Sequence, residues 1–526
     1  MHTQPTQLTK PAPKPDTSEK KPKENLRQRA YLNTVASWID TITKILVEFF
    51  VKPIIISMLG ATFFGVWQII NQMNSYMATV DLRAGTSVKW YVARNRTVLD
   101  ELELKKMMSA AFYANILFLP FYLLAGAVLV WLAPFVTKVD VEYYTLVRIA
   151  TGLLVMSFII NQYAFLLQSV LVGMNLSFKK IGVRAALTIF GGIATVTVLY
   201  LGYNLPAMAV VQVVITILTG IILLWILKIN VNWFGFIKAG WDRIINMLKL
   251  TGKFMALKIV DIINESSDLI LLGYFAGPKY VAAYVISRYS VQVTSKIIRN
   301  VLSAVTPGLG KLVGEGNFSK LIEARSLIIK FNWLLITITG GIVLIWNRSF
   351  VALWTSAELY VGSVEALLIV IIASLKILKG IDRSIILMTL DIRNKILITA
   401  LSAGIVIILS LLLIPIYQTL GLLIALFLGT LKLTVIFNII AQNKVKGSSF
   451  ISDMFLSRVS IVGVLLLFIC YNIGGIIEVS TWFSLVYSLL ISAFVLSGIL
   501  WIFALSRRDK TIIIDNISKL RLLRLM

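Results

Sequence analysis

The sequence predicts an all-α polytopic membrane protein of about 14 transmembrane helices, built as two six-helix lobes related by an internal repeat plus two C-terminal helices. Four observations predict it. The 526 residues are 58% hydrophobic, with a mean hydropathy of +0.86. Apolar runs of about 20 residues recur along the chain, the length at which a helix crosses a bilayer, and they are continuous rather than alternating, which argues against a barrel. Of the 50 Lys and Arg residues, only Lys138 and Lys279 fall in the hairpins expected on the outer side, a positive-inside pattern that also supports an even number of spans. Finally, the stretch Leu59 to Trp67 has an echo from Phe275 to Tyr284. Aligning Gly60 with Gly277 pairs Phe63 with Tyr280, Gly65 with Ala282 and Trp67 with Tyr284.

Residues 1–29, rich in Pro, Lys, Thr and Gln, read as a disordered basic cytoplasmic tail without the apolar core of a cleavable signal. The N-lobe, 30–229, carries spans at 31–58, 62–82, 108–132, 144–172, 183–203 and 206–228. Residues 230–250 place Trp233, Ile237, Trp241, Ile244 and Leu248 at helical spacing with charges between them, which predicts an amphipathic linker helix on the cytoplasmic surface. The C-lobe, 251–441, carries spans at 252–275, 280–306, 326–350, 362–390, 394–416 and 419–440, and residues 442–505 hold the last two, at 459–477 and 481–505. Residues 506–526 form a second basic tail suited to anionic headgroups. Both termini are expected in the cytoplasm and both glycine turns outside, where small residues would let the paired helices pack closely.

The net charge of +25 is explained by cytoplasmic loops rather than by nucleic acid. One cysteine, Cys470, and one histidine, His2 in the tail, exclude an internal disulfide, a zinc site and histidine catalysis.

Polar residues inside the spans are concentrated. The first span carries Asn33, Ser37, Asp40, Lys44 and Glu48 on one face, and the second carries Gln68, Gln72, Ser75 and Thr79. Their repeat equivalents do the same: Lys258, Asp261, Glu265 and Asp268 in the seventh span, Arg288, Gln292, Ser295 and Arg299 in the eighth, with Lys296 adjacent. The tenth span adds Lys376, Lys379 and Arg383. A charge at a helix centre costs about 2.5–3.5 kcal/mol on insertion scales, so such groups face water or one another. Matching polar faces on equivalent helices predict a hydrated cavity between the halves. Buried ion pairs among Asp261, Glu265, Asp268, Lys258, Arg288 and Lys296 are the competing reading for any one pair. The whole set has a surplus of cations, which predicts an anion site; the planar fork of arginine suits phosphate.

The chain has no Gly-x-x-x-x-Gly-Lys-Ser/Thr run and no outward loop longer than about a dozen residues. An ATPase module and a large outward catalytic loop are therefore excluded, and no enzyme activity is expected. What remains is alternating access at a repeat interface.

The order Leu59-Gly60-x-x-x-Phe64-Gly65-x-Trp67, Asp81-Leu82-Arg83-Ala84-Gly85 and Val92-Ala93-Arg94, followed by Gly277-x-x-x-Val281-Ala282-x-Tyr284, Pro307-x-Leu309 and Gly314-Glu315-Gly316, resembles the polysaccharide-exporter and O-antigen-type flippases of bacteria. These belong to the superfamily that also holds the lipid II flippases and the multidrug and toxin extrusion transporters. Arg83 departs from the Leu-Gly pair of many relatives. The resemblance spans roughly residues 30–500. It implies two lobes in a V, with the first, second, seventh and eighth spans lining a central cavity. It further implies flipping of a polyprenyl-pyrophosphate-linked oligosaccharide across the bacterial plasma membrane for surface polysaccharide synthesis. Lipid II flipping and cation-coupled drug antiport are the alternatives; a scaffold for glycan assembly explains the charges poorly. The anion-binding set is then Arg288, Lys296, Arg299, Lys376, Lys379, Arg383, Lys44 and Lys258. Asp40, Glu48, Asp261, Glu265 and Asp268 are candidates for coupling to H⁺ or Na⁺. The expected partners are the lipid-linked anionic glycan, membrane lipids, and a polysaccharide polymerase or glycosyltransferases, with no nucleic acid and no metal or other cofactor.

Overall fold

A backbone in hydrocarbon has no water to satisfy its polar groups, so apolar runs cross it as helices that bond internally. The computed structural model describes residues 26–82, 84–95, 100–389, 392–445 and 450–511. Among these no strand occurs. The predicted tails lie outside the described residues up to residue 25 and from residue 512, as does Arg83.

The N-lobe opens with α1 (Leu26–Ser75), which holds two spans joined at Gly60. The short α2 (Ala84–Asn95) follows. Next come α3 (Glu101–Leu117) and α4 (Leu119–Thr137), one span interrupted at Phe118, then α5 (Tyr144–Gly173), α6 (Ile181–Tyr200) and α7 (Leu205–Asn230). In the C-lobe, α8 (Trp241–Ser266) and α9 (Asp268–Ala276) form one span broken at Ser267, and α10 (Pro278–Ser287) and α11 (Tyr289–Gly314) form one broken at Arg288. They are followed by α12 (Phe318–Trp354), α13 (Ser363–Met388) and α14 (Ile392–Val445), the last holding two spans joined at Gln418. The short α15 (Phe450–Phe455) leads to α16 (Arg458–Gly474) and α17 (Trp482–Ile499). Counted in this way, the described residues make the fourteen spans the hydropathy predicts.

The repeat is preserved in backbone geometry. Gly60 has φ 78° and ψ 165°, and Gly277 has φ 98° and ψ 168°, a region open in practice only to glycine. A Cβ at either position would meet nothing within 4 Å. These glycines are needed for torsion, not for the close packing the sequence suggested. Crowding falls instead at Gly65, where a Cβ would overlap the carbonyl oxygen of Pro278, and at Gly273, where it would overlap Ile69.

The linker also differs from expectation. Residues 231–240 are not helical, and α8 starts at Trp241 and runs unbroken to Ser266. Gly235 and Gly240 favour an irregular course. Trp233 is buried in a cluster with Leu104 and Leu227, and Ser109 Oγ accepts from the Ile237 N–H at 2.8 Å. The segment is packed against the N-lobe, and its tryptophan serves the core rather than a lipid surface.

The two lobes touch along α1. Gln72 Nε2 donates to Ser266 O at 3.0 Å, Tyr76 and Ser267 share a 2.7 Å hydroxyl pair, Tyr289 OH donates to Ile45 O at 2.9 Å, and Trp354 Nε1 donates to Phe49 O at 2.8 Å. The rings of Phe49 and Tyr289 stack on Trp354 at 5.6 and 4.5 Å. One apolar core, including Phe64, Tyr284 and Ile385, runs through both lobes. Helices α16 and α17 pack on α12, where Gly341 and Gly474 allow close approach.

Candidate functional site

The breaks in the seventh and eighth spans face each other. Arg288 sits at the α10–α11 junction with φ −84° and ψ −5°, the sparsely populated bridge region in which many functional residues lie. Its Nη1 bonds Asp268 Oδ2 at 2.5 Å, and its guanidinium lies 4.4 Å from the centre of the Tyr284 ring. Asp268 opens α9, directly after the break at Ser267. A charge pair is thus held where two helices are interrupted, the arrangement that transporters use near a substrate.

Around it opens a cavity of about 780 Å³, lined mainly by α11 and α13, with Gln72 and Ser75 of α1 at its edge. Five of the predicted cations line it: Arg288, Arg299, Lys376, Lys379 and Arg383. Asp268 is the one carboxylate among the lining residues. Arg299 lies three turns along α11 from Arg288, about 16 Å at the helical rise. It is exposed and has no carboxylate partner among the described residues. Lys379 is buried and Lys376 half-buried. Arg383 is held by Asp261 at 2.9 Å.

Two predicted cations lie elsewhere. Lys296 pairs with Glu48 of the other lobe at 3.6 Å. Lys44 lines a separate N-lobe cavity and pairs with Asp40 at 2.9 Å. The side chains of Lys258 and Glu265 lie outside the described residues. The four remaining coupling candidates are all ion-paired. Asp40 also meets Arg184 at 3.3 Å, Glu48 meets Lys52 at 3.0 Å, Asp261 meets Lys395 at 3.7 Å, and Asp268 has Arg288. The pairing the sequence left open is realised within the expected set by Arg288 and Asp268, while Lys296 bridges the lobes and Asp261 turns to α13 and α14.

Sequence reasoning missed Lys395, Lys180, Arg184 and Arg325. Lys395 and Lys180 are buried, and Arg325 is 1% exposed and doubly bonded to Asp382 at 2.6 and 3.0 Å. Lys180, at the N-cap of α6, and Arg325, near the start of α12, count in sequence as loop charges, and Arg184 and Lys395 fall at the very ends of predicted spans. The one available signal was their i, i+3 or i, i+4 spacing from buried positions.

Residues 96–324 match the family model described as polysaccharide biosynthesis protein. A search of curated proteins found no match. Among solved structures, the chain resembles the lipid II flippase MurJ in an inward closed conformation, with 13% identity, TM-score 0.69, and coverage of 90% of this chain and 99% of that one. It also resembles an inward-facing multidrug resistance MATE family transporter of the MOP superfamily, at 11% identity and TM-score 0.59, covering 80% and 98%. A third match is a MOP superfamily transporter from Pyrococcus furiosus, whose binding pocket is described as of reverse polarity, suggesting a different function. There the identity is 14%, the TM-score 0.55 and the coverage 80% and 96%. The chain has the fold of this superfamily, as the order of its motifs implied.

Proposed function

We propose that this protein is a flippase carrying a polyprenyl-pyrophosphate-linked oligosaccharide from the cytoplasmic to the outer leaflet of the bacterial plasma membrane, for surface polysaccharide synthesis. The observation that carries this reading is the composition of the main cavity wall, five cations against one carboxylate. Such a wall suits a pyrophosphate and repels the cationic compounds typical of drug antiport. Arg288 and Arg299 offer forked donors to successive anionic groups. The lipid tail stays in the bilayer while the headgroup crosses. Glycosyltransferases supply the substrate, and a polymerase consumes it.

With both termini cytoplasmic, Gly60 and Gly277 lie outside, and the contact of Gly65 with Pro278 closes that side. The cavity then opens inward. Coupling to H⁺ or Na⁺ follows from the ion pairs. A pyrophosphate that recruits Arg288 frees Asp268 to take up a cation, and linkage makes the effect reciprocal.

The test is replacement of Arg288 and Arg299 together by Gln. Glycan export at normal protein level is expected to fall by at least about tenfold, from the loss of two charge-assisted contacts; unchanged export would sink the anion-site reading. A second reading, lipid II as cargo, draws on the MurJ likeness at TM-score 0.69. Deletion of the gene separates the two. Loss of a surface glycan with an intact cell wall supports the first, and arrested wall synthesis supports the second. Orientation is read by replacing Cys470 and placing single cysteines at Thr62 or Lys279, which should label from outside, and at Asn95 or Ser319, which should not.

A further inference from the structure

The N-lobe has a cavity of its own, of about 500 Å³, between α1, α5, α6 and α7. Lys44, Lys180 and Arg184 line it. Asp40 answers Lys44 at 2.9 Å and Arg184 at 3.3 Å. Lys180 is only 8% exposed and has no ion-pair or hydrogen-bond partner among the described residues. Three cations thus face one carboxylate, and the buried ammonium is the one left over. A buried charge that only shares the attraction of Asp40 with two other cations is unfavourable, so the site gains most by holding an anion.

The backbone that carries Lys180 is also held in place. Asn33 Oδ1 accepts from the Phe178 N–H at 2.8 Å, and Asn33 Nδ2 donates to Asn175 Oδ1 at 2.8 Å. The turn that ends at Lys180 is thereby pinned to α1. Beyond the cations, the wall carries the amides of Gln168 and Gln212 and the hydroxyls of Thr188 and Thr195. Neither glutamine amide has a partner among the described residues. Cations at one end and amides along the wall suit a phosphate or carboxylate attached to a hydroxylated group.

We propose that the N-lobe cavity is a second anion site, built on Lys180, Arg184 and Lys44, for a phosphate or carboxylate borne on a polyhydroxylated moiety. Two sources share that chemistry, a bilayer phospholipid headgroup and an acidic sugar of a glycan. The site does not depend on the cargo proposed above, because it is separate from the cavity around Arg288.

The experiment uses the full-length chain in detergent. Native mass spectrometry measures retention of phosphatidylglycerol relative to phosphatidylcholine, and equilibrium titration measures binding of digalacturonate. The double variant Lys180→Gln/Arg184→Gln is expected to bind about tenfold more weakly, through loss of two charge-assisted contacts. The charge-preserving Lys180→Arg/Arg184→Lys, checked for the same elution volume, should keep most of the binding. Loss confined to phosphatidylglycerol identifies a lipid headgroup as the ligand, and loss confined to digalacturonate identifies a sugar acid. The proposal is overturned if the wild-type chain binds neither probe, if the Gln variant binds as wild type, or if the charge-preserving variant loses as much. It is overturned equally if binding is lost in Arg288→Gln/Arg299→Gln and not in the N-lobe variant.

Discussion

Gly65 of α1 lies directly against the carbonyl group of Pro278 at the start of α10, so that no side chain fits between them. The two glycine hairpins, one from each lobe, close on each other backbone to backbone. Since a backbone carbonyl cannot swing aside as a flexible side chain can, Gly65→Ala should force the lobes apart at this end. The readout is a cysteine at Ile69, fully buried beside Gly273, in a chain with Cys470 replaced. Its labelling by an impermeant maleimide should rise about tenfold with Gly65→Ala, a population shift of roughly 1.4 kcal/mol. Unchanged labelling would show that the contact does not hold this end shut.

The turns themselves should respond differently. Gly60 and Gly277 have free space where a Cβ would go, so a substitution there is penalised by torsion alone. Their φ and ψ lie outside the left-handed region that asparagine tolerates. Gly60→Ala and Gly60→Asn should therefore destabilise equally, by about 1–3 kcal/mol, as read by thermal unfolding in detergent. A clear advantage for Asn would contradict the assigned torsion.

Asp382 is fully buried, bonded through both oxygens to Arg325, and accepts from Asn438 Nδ2 at 3.2 Å. Removing one partner strands a buried charge. Asp382→Asn should cost about 3–5 kcal/mol, and Arg325→Met/Asp382→Leu far less than the sum of its parts. Additive losses in a double-mutant cycle would place the pair outside the core.

Glu103 at the start of α3 clamps α8 through Arg243 at 2.7 Å. Hydrogen bonds from Arg243 and then Lys106 hold its carboxyl down to about 2. A depressed carboxyl contributes fully above its unfolded value, near 4.3, and the contribution is lost as pH falls through the folded one. The clamp should therefore be constant from about pH 5.5 to 8. Tryptic cleavage at exposed Lys238 should be faster in Glu103→Gln than in wild type, by the same ratio at both pH values; a ratio that drifts would refute the assignment.

The fold was legible because bilayer length, loop charge and a repeated glycine turn are local or additive signals. The main cavity was legible for a related reason. Arg288, at the head of α11, and Arg299, within it, share one stripe, Lys376, Lys379 and Arg383 lie on α13, and these helices pack together. Partnerships were not legible. Nothing in the spacing says that Lys296 reaches Glu48 across the lobes or that Lys395 reaches Asp261. Lys180 and Arg325 read as loop charges because helix ends are uncertain by several residues, and a turn or two decides whether a basic residue faces water or the core. The linker misled because tryptophans at helical spacing fit a lipid surface as well as they fit a packed coil.

The near-identical torsions of Gly60 and Gly277 bear on how the two halves diverged. Beside them Gly65 aligns with Ala282 and Trp67 with Tyr284, and the two halves carry their cations in different cavities. After such drift a comparison of side chains between the halves finds little ancestry. The inherited element is a bend, kept because only one residue type can make it. Each copy was thereby free to change its chemistry, and each now holds a cation-lined cavity of its own, while the bend stayed fixed.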